Sequence, residues 1–439
     1  GGGQIRAYGQ TGNSGAQAMV VMTTSTNSTS FNSGAGRQDW SLLSSNTGDN
    51  VFEAWGPVSF TSTAVADAST PAVKFVIQQT NSASTFTPIQ QQGTFAHKFI
   101  ATGGGDIDVA VTTANTGKYA IDSATKFQFS ASSGAIRVNF GTGLDLASAT
   151  STNSIIFGAD GTDVTSSSSN ITLSGNNFVD NANAGSVIFK TSGSATIQPS
   201  VTVGSFTGAQ SFSAAQTIDS TYSFTGITGT NSGNIGSLAF GQSGTGGTVS
   251  GATQNAADIT ISQALTSSGS ISVFAKTITV NNSLTSTTAN PILLKATQDV
   301  VTANGTNTST RNALTTSGGA VTLWSNADAS GSGAIWMGSF NRISTSGGSI
   351  TLAGGSSATE SSPTGAAKNN GTTYRTGVML GGDAVAVGNI DLLSGGGNIV
   401  ISGYSNATAT AYANGITMMQ GHTINSGAGT ITISGTADG

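Results

Sequence analysis

Cysteine is absent from the 439 residues, so disulfides, thiol catalysis and thiolate metal ligation are all closed to this chain. Charge is scarce: 8% of residues are Asp, Glu, Lys or Arg, with only Glu53 and Glu360 as glutamates. The long polar side chains that fill exposed helix faces are therefore missing, and helix is expected to be a minor component at most. No stretch approaches the roughly 18 unbroken apolar residues of a spanning helix, so no membrane span is expected. The net charge of -5 and pI near 4.8 argue against a nucleic-acid partner, which would want a basic face. The opening Gly-Gly-Gly-Gln has neither an initiating Met nor a signal peptide, and the repeat described below reaches both ends. The chain accordingly reads as a piece of something longer.

What is present is glycine, 61 residues of it, among abundant Ser, Thr and Asn, with a mean hydropathy of +0.03. Such a composition suggests disorder, but disordered chains combine low hydrophobicity with high charge. Here Val, Ile, Leu and Phe recur at alternate positions, the period of a half-buried strand.

One short text keeps returning. Thr345 to Leu352 reads Thr-Ser-Gly-Gly-Ser-Ile-Thr-Leu, and close copies stand at Thr316 to Leu323, Ser394 to Ile401 and Ser426 to Ile433. Weaker copies occur at Thr102 to Val109, Ala131 to Val138, Ala182 to Phe189 and Thr266 to Val273, and Gly1-Gly2-Gly3-Gln4-Ile5-Arg6-Ala7 reads as one more. The first apolar residues of these copies, with Leu238, are Ile107, Ile136, Val187, Leu238, Ile271, Val321, Ile350, Ile399 and Ile431. Their spacings cluster near about thirty and about fifty residues, one or two turns of a unit of roughly 27 residues, a period that marks solenoids. A second signature, at Ile335, Val378 and Ile416, implies at least two strands per coil on different faces.

A strand burying two side chains is unstable alone, but stacked coils pair each strand with its copies at about 4.8 Å and merge the inward residues into columns. The expected fold is all-β, a right-handed parallel β-helix, since strand crossovers are overwhelmingly right-handed. Residues 1–100 are expected to form an irregular N-terminal part with loop insertions, and 101–439 the repetitive solenoid. Phe140, Phe157, Phe189, Phe206 and Phe240 are expected to share one stacked column.

Chemistry is thinly represented. Asp106 and Asp108 alternate on one strand, and Asp160 and Asp163 share a turn; both are read as a solvated face and an Asp turn ahead of a glycan-cleaving pair or a calcium site. His97 and His422 lie far apart in sequence and have no Cys partners, so no metal and no cofactor is expected. Trp324 and Trp336 would grip sugar rings if outward and would pack if inward. Asn-x-Ser/Thr sequons occur at Asn27, Asn170, Asn281, Asn304, Asn307, Asn370 and Asn406. The richest mixture of charge and aromatic is Arg37, Asp39, Trp40, Asp49, Glu53 and Trp55. Its functional reading is a ligand-contact loop built on Arg37, Asp39, Trp40 and Trp55; its structural reading, preferred here, is an insertion or cap covering the stack.

The string from Ala257-Asp258-Ile259-Thr260-Ile261 through Gln263-Ala264-Leu265-Thr266, Ile271-Ser272-Val273 and Ile278-Thr279-Val280, with Thr316 to Leu323 and Thr345 to Leu352, resembles the large exported β-helical proteins of bacteria related to filamentous haemagglutinins. The likeness is one of repeat style over about residues 100 to 439. It implies secretion to the bacterial cell surface, a right-handed β-helix and a structural or adhesive role. The expected function is thus a noncatalytic, extracellular, rod-like segment of a surface adhesin or filament. Its expected partners are further coils of its own chain or further copies of itself, with surface carbohydrate as a second class. The alternatives are a carbohydrate- or receptor-binding fibre module of the phage-fibre type, and a polysaccharide-cleaving enzyme on the same coil.

Overall fold

A strand such as Ile350-Thr351-Leu352 sends Ile350 and Leu352 to one face and Thr351 to the other, so it needs a partner surface on one side only. In the computed structural model that surface is supplied by other laps of the same chain. The structure describes residues 5–9, 19–21, 28–42, 50–54, 56–67, 70–79, 81, 83, 87–91, 96–113, 126–141, 144–145, 154–175, 178–179, 186–198, 216–218, 222–225, 235–241, 248–249, 252–253, 258–328, 332–355, 363, 366–368, 376–381, 388–405 and 414–437. Among these residues there is no helix, and the strands stack in parallel, in register, as a β-solenoid.

The chain forms two units, one of Gly1–Ala214 with Ser220–Gly236 and Thr248–Ala252, the other of Ala215–Asp219 with Ser237–Gly247 and Thr253–Gly439. In the first unit, sheet I orders Ile5–Gly9, Gln38–Leu42, Val73–Gln79, Ile107–Thr113, Ile136–Phe140, Ile171–Gly175 and Ser194–Gln198. Sheet II, next along each lap, holds Met19–Val21, Phe52–Ala54 and Ile89–Gln91. Sheet III holds Thr29–Asn32, Val58–Ser62, Ala96–Ala101, Lys126–Ala131, Ser154–Gly158, Ser186–Lys190 and Tyr222–Thr225. The laps in which all three strands are described thus have three faces, one more than the two signatures required.

The second unit repeats the plan. Sheet I carries the column Leu238, Ile271, Ile292, Val321, Ile350, Ile399 and Ile431. Sheet II stacks Ile259, Ile278, Val300, Ile335, Val378 and Ile416, so the second signature does mark one face. Sheet III stacks Leu265, Leu284, Leu314, Ile343, Leu392 and Ile424. Ile271, Ile292, Val321, Ile350 and Ile399 are all 0% exposed, and burial of each such side chain is worth about 1.5–3 kcal/mol. Parallel sheets normally read as unbroken apolar runs because both faces are covered; here one face meets water, and the strands alternate.

Two expectations are corrected. Val187 lies in sheet III, in Ser186–Lys190, whereas the sheet I laps between Ile136 and Leu238 start at Ile171 and Ala195. The expected phenylalanine column is also redistributed: Phe140 and Phe240 belong to sheet I, and Phe206 lies outside the described residues. The column that does form runs through sheet III as Phe31, Phe60, Phe99, Phe129, Phe157 and Phe189, paired strand by strand. Its ring centroids are 5.5, 5.0, 5.2, 5.1 and 5.1 Å apart and nearly parallel, the offset stacking that aromatic quadrupoles favour.

The recurring Thr-Ser-Gly-Gly turn is the corner from sheet III to sheet I. Thr316, Thr345 and Ser394 each donate a side-chain hydroxyl to the carbonyl three residues on, of Gly319, Gly348 and Gly397, and Ser426 does so to Gly429 at 2.6 Å. The same hydroxyls reach the next lap: Thr345 Oγ1 lies 3.1 Å from the carbonyl oxygen of Ser394, and Ser394 Oγ 3.2 Å from that of Ser426. Within the turn Ser346 and Gly347 have φ of +53° and +120°, the left-handed region where glycine is favoured. The second glycine is required for another reason. A Cβ on Gly348 would collide with the carbonyl oxygen of Gly319 one lap earlier, and one on Gly397 with that of Gly348, far inside the 3.0 Å that real Cβ atoms keep. Gly348→Ala is expected to cost about 2 kcal/mol, since only the backbone can yield; Gly347→Ala, which meets nothing within 4 Å, carries only the left-handed strain of about 1–2 kcal/mol. Urea unfolding of the two variants, with midpoint and slope compared, checks the difference.

Candidate functional surfaces

Residues 37–60, read as an insertion or cap, instead supply ordinary lap strands: Gln38–Leu42 to sheet I, Phe52–Ala54 to sheet II and Val58–Ser62 to sheet III. Trp40 is 4% exposed, faces the interior against Phe31 at 4.6 Å and Phe60 at 5.0 Å, and donates its indole N–H to Gln38 Oε1 at 3.0 Å. A buried indole gives a ligand no platform. Arg37 donates to the carbonyl oxygens of Thr70 and Val65 and pairs with Asp67 at 3.3 Å, while Asp39 pairs with Lys74 at 3.4 Å. Trp55 lies outside the described residues. The structure therefore separates the proposed loop residues: Trp40 goes inward, and Arg37 and Asp39 go into different ion pairs.

Asp39 leads to a feature the sequence concealed. On the outward face of sheet I, register places Asp39, Lys74, Asp108 and Arg137 in one row, alternating in sign over four laps. Arg137 Nε is 2.7 Å from Asp108 Oδ1, and its Nη2 is 2.6 Å from Asp106 Oδ2. Burial raises the Asp108 carboxyl above the ordinary carboxylate value, and the Arg137 guanidinium, by hydrogen bond and charge, pulls against that. Both acids weighed as a glycan-cleaving pair are thus held by one arginine. A slip of one lap would set like charges opposite each other, so the row disfavours wrong stacking as well as supporting the right one. In the second unit, Arg342 and Arg311 approach Asp391 at 2.8 and 3.4 Å.

One carboxylate oxygen of Asp160 is held by the backbone of its own turn. Asp160 Oδ1 accepts from the amides of Thr162, Asp163 and Val164 at 2.6, 2.8 and 3.0 Å. Burial alone would raise its carboxyl; the amides of Val164 and Thr162, with Ser130 and Gln128, outweigh that and hold it below the ordinary value. Asp163 is taken by Lys98 at 2.8 Å. Among the described residues no group of three or more His, Asp and Glu converges as a metal site.

Trp324 is 0% exposed, donates to the Gly355 carbonyl oxygen at 2.8 Å and carries Lys295 Nζ 4.2 Å from its ring centroid, which fits the packing reading. Trp336 is half-buried on the outward face of sheet II, in a row with Val301 and Met379. The sequons at Asn170, Asn281, Asn304 and Asn307 are exposed, and those at Asn27, Asn370 and Asn406 lie outside the described residues. No helix among the described residues is long and apolar enough to cross a membrane.

One surface departs from the rest of the stack. Ile399 and Ile401 are 0% exposed, and their partners one lap on, Ile431 and Ile433, are 44% and 47% exposed. Neither a protein-family model nor any curated protein or solved structure matches this chain.

Proposed function

We propose that this chain is a noncatalytic structural segment of an exported bacterial β-solenoid, a rod-like part of a surface adhesin or extracellular filament. The observation that supports this reading best is the number of independent devices spent on holding lap to lap. Aliphatic columns, a stacked phenylalanine column, hydroxyls that bridge successive corners and an alternating charge row all act along the stacking direction. Repeat stability grows with such nearest-neighbour contacts, and the product is a stiff spacer. In the second unit many outward positions are Thr, as at Thr322 and Thr351 of sheet I and Thr285 and Thr315 of sheet III, neutral polar residues suited to standing in water.

Immunogold labelling of the producing cells with antibody to this chain tests the reading. Label on the surface or on appendages extending from it is the expected result, and label confined to the cytoplasm overturns it. Incubation with a panel of acidic glycans addresses the enzymatic alternative, with no release of reducing ends expected.

A further inference from the structure

We infer that Asn307 is an N-glycosylation acceptor, the side chain that takes a sugar from a glycosyl diphosphate donor. The inference goes beyond the rod reading and does not depend on it, since glycosyl transfer asks only for an exposed acceptor loop. The loop that carries Asn307 stands out from its neighbours. In the second unit the corner from sheet II to sheet III is closed by residues 281–283 on one lap and 338–340 on another, but by residues 303–311 on the lap between them. The extra chain is not needed for stacking, and it emerges into water: Thr306, Asn307, Thr308, Ser309 and Thr310 are all exposed. Its base is nonetheless fixed. Gly305 donates its amide to the Ser339 carbonyl oxygen at 2.8 Å, and Arg311 donates to the carbonyl oxygens of Thr308 at 3.2 Å and Asn341 at 3.4 Å, and to that of Asn389.

At the tip, Asn307 Oδ1 accepts the backbone amides of Ser309 at 2.8 Å and Thr310 at 2.9 Å, a turn in which an asparagine carbonyl caps the chain just ahead of it. With that oxygen engaged, Nδ2 is the part of the carboxamide left for a partner. Among the described residues no hydrogen bond takes Nδ2, nor the Ser309 hydroxyl that completes the Asn-Thr-Ser sequon. The other described sequons are committed to the stack. Asn170 Oδ1 accepts the amide and hydroxyl of Ser194 one lap on, at 3.1 and 2.9 Å, and its Thr172 lies within strand Ile171–Gly175. In the Asn281 sequon the Ser283 hydroxyl accepts the amide of Ala313 at 3.0 Å, and Asn304 Oδ1 accepts the amide of Ser339 at 2.7 Å. A transferase that drew in any of these three would have to break lap-to-lap bonds, whereas the capping bonds of Asn307 lie within its own loop. In the transfer, Nδ2 bonds to the anomeric carbon of the sugar as the bond from that carbon to the donor's phosphate oxygen breaks. The diphosphate leaves with the electron pair, and Nδ2 gives one proton to a base of the transferase.

Protein purified from the producing cells, cut with trypsin and fragmented by electron transfer in a mass spectrometer, tests the assignment on the peptide that ends at Arg311. A sugar adduct on Asn307 is expected, with Asn304 of the same peptide bare. Either form of adduct supports the inference, a single hexose indicating a nucleotide-activated donor and a preassembled oligosaccharide a lipid-linked one. Asn307→Gln is expected to remove the adduct. Ser309→Ala, which leaves both capping amides in place, is expected to remove it too, with an unchanged urea unfolding midpoint. An unmodified Asn307, an adduct on Asn304 in its place, or an adduct that survives Ser309→Ala overturns the inference. None of these results bears on the surface labelling, so the rod reading stands or falls separately.

Discussion

Phe129→Ala is expected to lower the stability of the first unit by about 4 kcal/mol, within the range of roughly 3–5 kcal/mol for buried Phe truncations. Phe129 is 0% exposed, and its ring lies between Phe99 at 5.2 Å and Phe157 at 5.1 Å, with Phe140 of sheet I against its side at 6.3 Å. Truncation opens a cavity whose walls are held in place by the laps above and below, so relaxation is restricted. Phe31→Ala is the internal control. Phe31 is half-buried, and among the described residues its column neighbour is Phe60 at 5.5 Å, together with Trp40. Its loss is expected to cost about half as much. Denaturant unfolding followed by near-ultraviolet circular dichroism reads both variants. Equal costs for the two positions would show that the column does not act as a stack.

The gradient also bears on what the sequence could reveal. That a column of phenylalanines exists was legible from recurrence alone, but its membership was not. An alternating strand looks the same on each of the three faces, so Phe140 and Phe240, which serve sheet I, were indistinguishable from Phe157 and Phe189, which serve sheet III. Val187 was assigned to the wrong face for the same reason. The laps beginning at Ile171 and Ile292 escaped notice because Ser169 and Asn290 stand where glycine stands elsewhere. Where the steric demand is strict, as at Gly319, Gly348, Gly397 and Gly429, the text is strict too, and there the repeat could be read directly. The charge row was hidden by the loops: Asp39, Lys74, Asp108 and Arg137 are neighbours in space but unevenly spaced in the chain. Composition signalled Arg37, Asp39, Trp40 and Trp55 as a mixture of charge and aromatic, yet composition carries no direction, and strand alternation already turned Trp40 away from Asp39.

Acidification from about pH 6.5 to about pH 4 is expected to remove roughly 3 kcal/mol from the first unit through His97, at about 1.4 kcal/mol per pH unit of displaced titration. His97 is 1% exposed, in strand Ala96–Ala101 of sheet III, with Phe52 and Phe127 rings at 5.8 and 5.6 Å. The strand's alternation implied this placement, since His97 and Phe99 lie two apart. Burial disfavours the charged imidazolium and lowers its pKa from 6.5 to about 4. Between those values the unfolded chain binds a proton that the folded one does not, so stability falls as pH falls; below about 4 both states are protonated and the loss levels off. Asp160 and Asp108 perturb this window little or in the opposite sense: the lowered Asp160 loses its contribution only below the ordinary carboxylate value, and the raised Asp108 favours the folded state as protons bind. His97→Leu keeps the volume and removes the titration. The difference in stability between wild type and this variant should therefore change by about 3 kcal/mol across the window, measured by urea unfolding at closely spaced pH values. A constant difference would mean that the imidazole meets water or a compensating partner on protonation, and that this lap opens more readily than its packing implies.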